Sequence, residues 1–174
     1  KVYVAEAFND GTFDEVIPVK YVKEVNRRSF RDGTITEYKD SFKNFERSKS
    51  YDYSPYDETI VMDSDIVICN SKLKNAFDSA DDFAIYKDSV DLADFRSQRE
   101  FEYISEASID FYWATILFFR KTPTNKIFFD LVQHIEENYE HYVKVYQLHS
   151  SMFRNDFAFS IAIHMMNGFQ KGSF

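Results

Sequence analysis

The chain is short of the residues that make cross-links, loops and membrane spans. Its 174 residues include one cysteine, four glycines and three prolines. A lone Cys69 has no internal disulfide partner, which fits a reducing, cytoplasmic setting. It lies in an apolar run and reads as core packing. So few glycines and prolines leave little room for flexible linkers, and with 44% apolar residues global disorder is not expected. No stretch approaches the roughly 18 consecutive apolar residues that cross a membrane. The first five residues are too short for a signal-peptide core.

Positive charge is also scarce. Lys and Arg number 21 against 29 Asp and Glu, a net charge of -8, which argues against general affinity for nucleic acid. The local exception is Lys20, Lys23, Arg27, Arg28 and Arg31, read as a solvated face rather than an anion groove. There is no Walker loop, no Gly-x-Ser-x-Gly and no histidine-acid-serine order. His134, His141 and His149 fall near a seven-residue spacing without an acid or cysteine to complete a zinc set.

Aromatic residues are what the chain has in excess: 19 Phe, 12 Tyr and one Trp, 18% of the whole. Their spacing and that of the aliphatics predict short strands over 2–5 and 15–19, with a turn at Asn9 to Gly11. Tyr38, Phe42 and Phe45 predict a helix over 36–51. Strands are expected over 59–62, 83–86 and 111–119, the last bulky and β-prone. A short helix is expected over 71–77. Another should open at Thr122-Pro123, an N-cap followed by proline at the first helical position, with Ile127, Phe128, Leu131, Val132 and Ile135 on its apolar face. A last helix should begin near Asn155 and Asp156 and stop at Gly168. The charged stretch 87–108 has no clean period and reads as a long loop. Strands separated by helices imply a layered α/β domain with a mainly parallel sheet, in which ligands bind beyond the carboxyl ends of strands.

The segment 53–68 carries the clearest chemistry. A turn at Ser54-Pro55 leads into the apolar run 59–62, which ends in Asp63-Ser64-Asp65 before a second apolar run. On a continuing strand, a period of two puts both carboxylates on one face. Like charges that close are costly unless a cation or proton sits between them. Such a strand end suits a hard divalent metal with oxygen ligands.

With its turn, hydrophobic strand and Asp-x-Asp, this segment resembles nucleotide-sugar glycosyltransferases of the GT-A fold. It is most similar to the glycogenin-like group and to related bacteriophage-encoded glycosyltransferases. A second match is the run 112–122 followed by a helix, similar to the family's strand that lines the sugar pocket. A third is Arg154-Asn155-Asp156 at the start of the last helix. The resemblance covers roughly residues 36 to 168. It implies a GT-A, Rossmann-like layered domain and a UDP-sugar or other nucleotide-sugar donor held through Mn2+ or Mg2+. It also implies transfer, with retention of configuration, to an unidentified acceptor, for which nucleic acid is conceivable only in that role. A phage-encoded enzyme would act in the host cytoplasm. In this reading Asp65 is the direct metal ligand, while Asp63 ligates the metal or holds the ribose and a metal-bound water. Ser64 lies between them at the nucleotide. Arg47 and Lys49 match positions of a basic residue near the nucleotide, and Trp113 and Thr115 take pocket contacts. Asp156 contacts the transferred sugar or the acceptor, as the candidate catalytic residue.

Three departures accompany the resemblance. The family's Asn-x-Gly is replaced by Trp113-Ala114-Thr115. Residues 2–5 reach the segment 13–17 almost at once, and the family's C-terminal histidine ligand has no counterpart, His164 falling inside a helix. The chain is therefore expected to be a fragment, incomplete at both ends, or to have an abbreviated donor site. Two other readings stay open. Asp63-Ser-Asp-Ile-Val67 meets the signature of a haloacid-dehalogenase-type phosphatase, with Asp63 as nucleophile and Asp65 as general acid. A non-catalytic glycosyltransferase-like binding domain is the other.

Overall fold

The computed structural model describes residues 2–4, 11–18, 27–31, 37–41, 46–90, 102–106, 109–148 and 152–171. The chain divides into two compact units, residues 1–47 and 48–174. In the first, β1 (Val2–Val4) pairs in parallel with β2 (Val16–Pro18), close to the two strands expected there. β3 (Arg27–Arg31) and β4 (Glu37–Ser41) form an antiparallel pair that sets Phe30 opposite Tyr38. This corrects the first part of the helix expected over 36–51, whose last residues, 46–51, are helical. Pairing with the neighbouring strand β3 decides the conformation of 37–41, and a period read within one segment cannot detect it. Phe42, Phe45, Lys20, Lys23 and most of the Asn9 to Gly11 turn lie outside the described residues.

A 3-10 turn, Glu46–Lys49, carries the chain into the second unit, where α1 (Ser50–Tyr53) follows. The sheet there has the order β5 (Glu58–Met62), β7 (Trp113–Arg120), β6 (Phe83–Tyr86), and both pairings are antiparallel. The mixed α/β class holds; the mainly parallel sheet expected from strands alternating with helices does not. β7 enters between two strands that run the other way. This topology still has a directional consequence. β5 and β6, each antiparallel to β7, run parallel to one another and bring their carboxyl ends to the same edge as the start of β7.

The core lies on one face of this sheet. α3 (Pro123–Glu137) and α5 (Asn155–Met166) cover it, and α4 (Tyr139–Val145) follows α3 after a break at Asn138. Phe119, Phe128, Phe129 and Phe159 are 0% exposed. Their rings meet edge to face, with centroids 4.9 Å apart for Phe119–Phe129 and 5.8 Å for Phe128–Phe159, the offset geometry that aromatic quadrupoles favour. Each buried ring contributes about 1.5–3 kcal/mol. α3 begins as expected: the Thr122 hydroxyl accepts from the Asn125 N–H at 3.2 Å, with proline next in sequence. Ile127, expected on the apolar face, is 59% exposed, whereas buried Asn125 replaces it by donating to the carbonyls of Asp82 and Arg120.

The opposite face of the sheet carries the short helical segment Ser71–Lys74 and α2 (Asn75–Asp78), with Phe77 edge-on to Phe118. Beneath it is a cavity of 240 Å³ lined by Ile60, Leu73, Ala76, Ile116 and Phe118 among others. Among the described residues no helix is long and apolar enough to cross a membrane.

Candidate functional site

β5 begins after a local turn in which the Ser54 and Thr59 hydroxyls lie 2.6 Å apart and Ser54 Oγ accepts from the Tyr56 N–H. It ends at Met62. The strand does not continue through the acids: Asp63-Ser64-Asp65 form a turn, with the Ile66 N–H on the Asp63 carbonyl at 3.3 Å. The shared face expected from a period of two is replaced by a turn that leaves Ser64 and Asp65 exposed and Asp63 half-buried. The second apolar run is not a strand either. Val67 is 82% and Ile68 56% exposed, and Cys69 is exposed, which corrects its reading as core packing. With no partner strand beyond Met62, these aliphatics have no face to bury against among the described residues.

One rung joins the turn to the sheet beyond Met62. The Asp63 N–H donates to the Thr115 carbonyl at 3.0 Å. Thr115 and Trp113, both half-buried, lie in the first half of β7. There the register against β6 jumps, with Ile85 opposite Leu117 but Tyr86 opposite Trp113. Ala114, Thr115 and Ile116 thus form a bulge, a device common beside functional sites because it re-aims side chains. The backbone left over is taken by α5. Asp156 Oδ1 accepts from the Ala114 N–H at 3.0 Å, and Ser160 Oγ from the Tyr112 N–H at 2.8 Å. Asp156 Oδ2 accepts from Arg154 Nη2 at 2.9 Å. The Arg154 guanidinium lies over the rings of Phe157 and Phe111, 4.8 and 5.9 Å from their centroids.

The structure therefore brings Asp63, Ser64, Asp65, Trp113, Thr115 and Asp156 to one edge of one sheet, from three segments far apart in sequence. Arg47 and Lys49 sit on the Glu46–Lys49 turn, Arg47 buried and Lys49 half-buried. Its Ser48 donates to Glu136 Oε2 at 2.7 Å, and Gln133 donates to the Ser48 carbonyl, so Lys49 is fixed beside α3 rather than on the strand that carries the acids.

The same edge holds residues that the sequence did not single out. At the end of β6, Lys87 Nζ bonds Asp110 Oδ2 at 2.7 Å, and that hydrogen bond holds the ammonium pKa above its ordinary 10.5. Asp88 takes a left-handed conformation, φ 58°, which is uncommon for a residue with a side chain. β5 and β6 flank β7, so Asp63 and Lys87 lie on opposite sides of it. Lys87 and Asp88 lie past the end of a strand, a position at which ligand contacts are common in α/β folds. That signal was available in the sequence.

Asp63 and Asp65 offer two oxygen donors on a partly exposed turn. Mg2+-type ions are held in this manner, by one or two carboxylates with substrate phosphates completing the shell. Among the described residues no three His, Cys, Asp or Glu side chains are grouped to hold a metal; His149 lies outside them. The 240 Å³ cavity does not include the acids, and its apolar lining does not suit a diphosphate. Compared with family models, with curated proteins and with solved structures, the chain matches none.

Proposed function

We propose that the chain is a metal-dependent glycosyltransferase domain of GT-A type, transferring a sugar from a nucleotide-diphosphate donor to an acceptor. One observation carries the reading. The three segments on which the resemblance rests meet at one sheet edge, through Asp63 N–H on Thr115 and Ala114 N–H on Asp156. Segments 63–65, 112–115 and 154–156 had no reason in local sequence to converge.

The chemistry then assigns itself by residue type. Asp63 and Asp65 would hold Mn2+ or Mg2+, whose charge would offset that developing on a departing nucleoside diphosphate. Trp113 and Thr115 line the sugar side of the edge. UDP is the expected nucleotide, on the resemblance alone. An exposed metal turn suits this class, because the donor's phosphates complete the coordination and close the site.

Calorimetric titration of UDP and GDP, each with and without Mn2+, tests the reading on wild type and Asp65→Ala. Metal-dependent binding of one nucleotide, lost in Asp65→Ala, is the expected result. Absence of nucleotide binding by the wild type with Mn2+ would sink the proposal.

A further inference from the structure

Along the first half of β7, a helix does the work of a strand. Backbone groups of successive strand residues point to opposite edges. Thr115 directs its carbonyl to β5, where the Asp63 N–H meets it. Tyr112 and Ala114 therefore direct their N–H groups to the other edge, where β6 has left the register. Ser160 and Asp156, one helical turn apart on α5, accept those two N–H groups at 2.8 and 3.0 Å. The spacing of i and i+4 on a helix matches that of i and i+2 on a strand to about 1 Å. Ser160 is itself fixed by donating to the Asp156 backbone carbonyl at 2.6 Å.

We propose that Asp156 is a positioning residue, holding the bulge of β7 and, through the Thr115–Asp63 rung, the Asp63-Ser64-Asp65 turn. Both of its carboxylate oxygens are engaged, Oδ1 by the Ala114 N–H and Oδ2 by Arg154, and the side chain is 16% exposed. A carboxylate committed in this way acts by geometry rather than by touching sugar or acceptor. The inference rests on the metal role of Asp63 and Asp65 only for its effect on binding; the effect on the turn's backbone stands apart from it.

Asp156→Asn and Asp156→Ala separate the two roles, because Asn keeps the Oδ1 acceptor and Ala keeps nothing. Amide hydrogen exchange at Ala114 and Asp63 is read on both variants, beside Mn2+ titration in the presence of UDP. In Asp156→Ala both amides should exchange at least about tenfold faster, and Mn2+ affinity should fall by about ten- to a hundredfold, as for lost supports of metal ligands. Asp156→Asn should restore slow exchange at both amides and Mn2+ affinity to within about threefold of wild type. Unchanged exchange at Asp63 in Asp156→Ala overturns the proposal, as does an Asn variant that binds Mn2+ as poorly as the Ala variant. A wild type that binds no Mn2+ removes the glycosyltransferase reading, and the exchange rates alone then decide whether Asp156 holds the turn. If Asp156→Ala does not fold, slow exchange at both amides in Asp156→Asn supports the proposal, and fast exchange overturns it.

Discussion

From Leu117 to Phe119, β7 has a strand on each side and helices over one face, and these residues are 0–3% exposed. From Tyr112 to Ile116 the chain has the end of β5 on one side and, apart from the Tyr86–Trp113 pair, two side chains of α5 on the other. One half is ordered by ring packing and a regular ladder. The other is ordered by polar contacts to a helix, and it ends beside exposed acids. Burying apolar surface is non-directional and stabilising, whereas hydrogen bonds fix position at little net gain. The difference locates stability in one half of the strand and the proposed chemistry in the other.

Substitutions can break this contrast, and the largest effect belongs in the packed half. Phe129→Ala removes a ring in contact with Phe119, Phe128 and Phe159. It should lower the unfolding free energy by about 3–5 kcal/mol, measured by urea denaturation. Ser160→Ala strands the buried Tyr112 N–H and should cost about 1–3 kcal/mol, with its exchange-rate change confined to the first half of β7. Thr122→Ala removes the cap of α3 and should cost about 1 kcal/mol, read by the same denaturation. Asp65→Ala, at an exposed turn, should change stability by less than about 0.5 kcal/mol while abolishing metal-dependent nucleotide binding.

The smallest effect sharpens the contrast through pH. Burial raises the Tyr139 hydroxyl above its ordinary pKa of 10.0. The folded chain then keeps a proton that the unfolded chain releases. Stability is full below pH 10 and falls as the pH rises above it. Tyr139→Phe should flatten that alkaline limb in a series of thermal melts and leave the neutral region's pH dependence unchanged.

Much of the packed half was legible in the sequence. Thr122-Pro123 marked the start of α3, the bulky run 111–119 marked β7, and Gly168, at φ 66°, marked the end of α5. These signals are local, set by caps, side-chain bulk and backbone freedom. Pairing was not legible. The antiparallel neighbours of β7 and the end of β5 at Met62 depend on partners far along the chain, and the strand at 37–41 depends on pairing with 27–31 rather than on its own period. At the candidate site, residue type and order singled out the acids and the segments 112–115 and 154–156, which the structure brings to one sheet edge. The bulge at Ala114 was not, because nothing in Trp113-Ala114-Thr115 records that β6 leaves the register there. Nor was the engagement of both Asp156 oxygens, which depends on Arg154 and the Ala114 N–H meeting in space.

The most direct test uses the paramagnetism of Mn2+. In the presence of UDP, substoichiometric Mn2+ should broaden the amide signals of Asp63, Ser64 and Asp65 first, then those of Trp113 to Thr115 and the Trp113 indole. Signals of Leu117 to Phe119 should broaden least along β7. Broadening centred elsewhere, or spread evenly along β7, would contradict a metal site at the bulged end of the sheet.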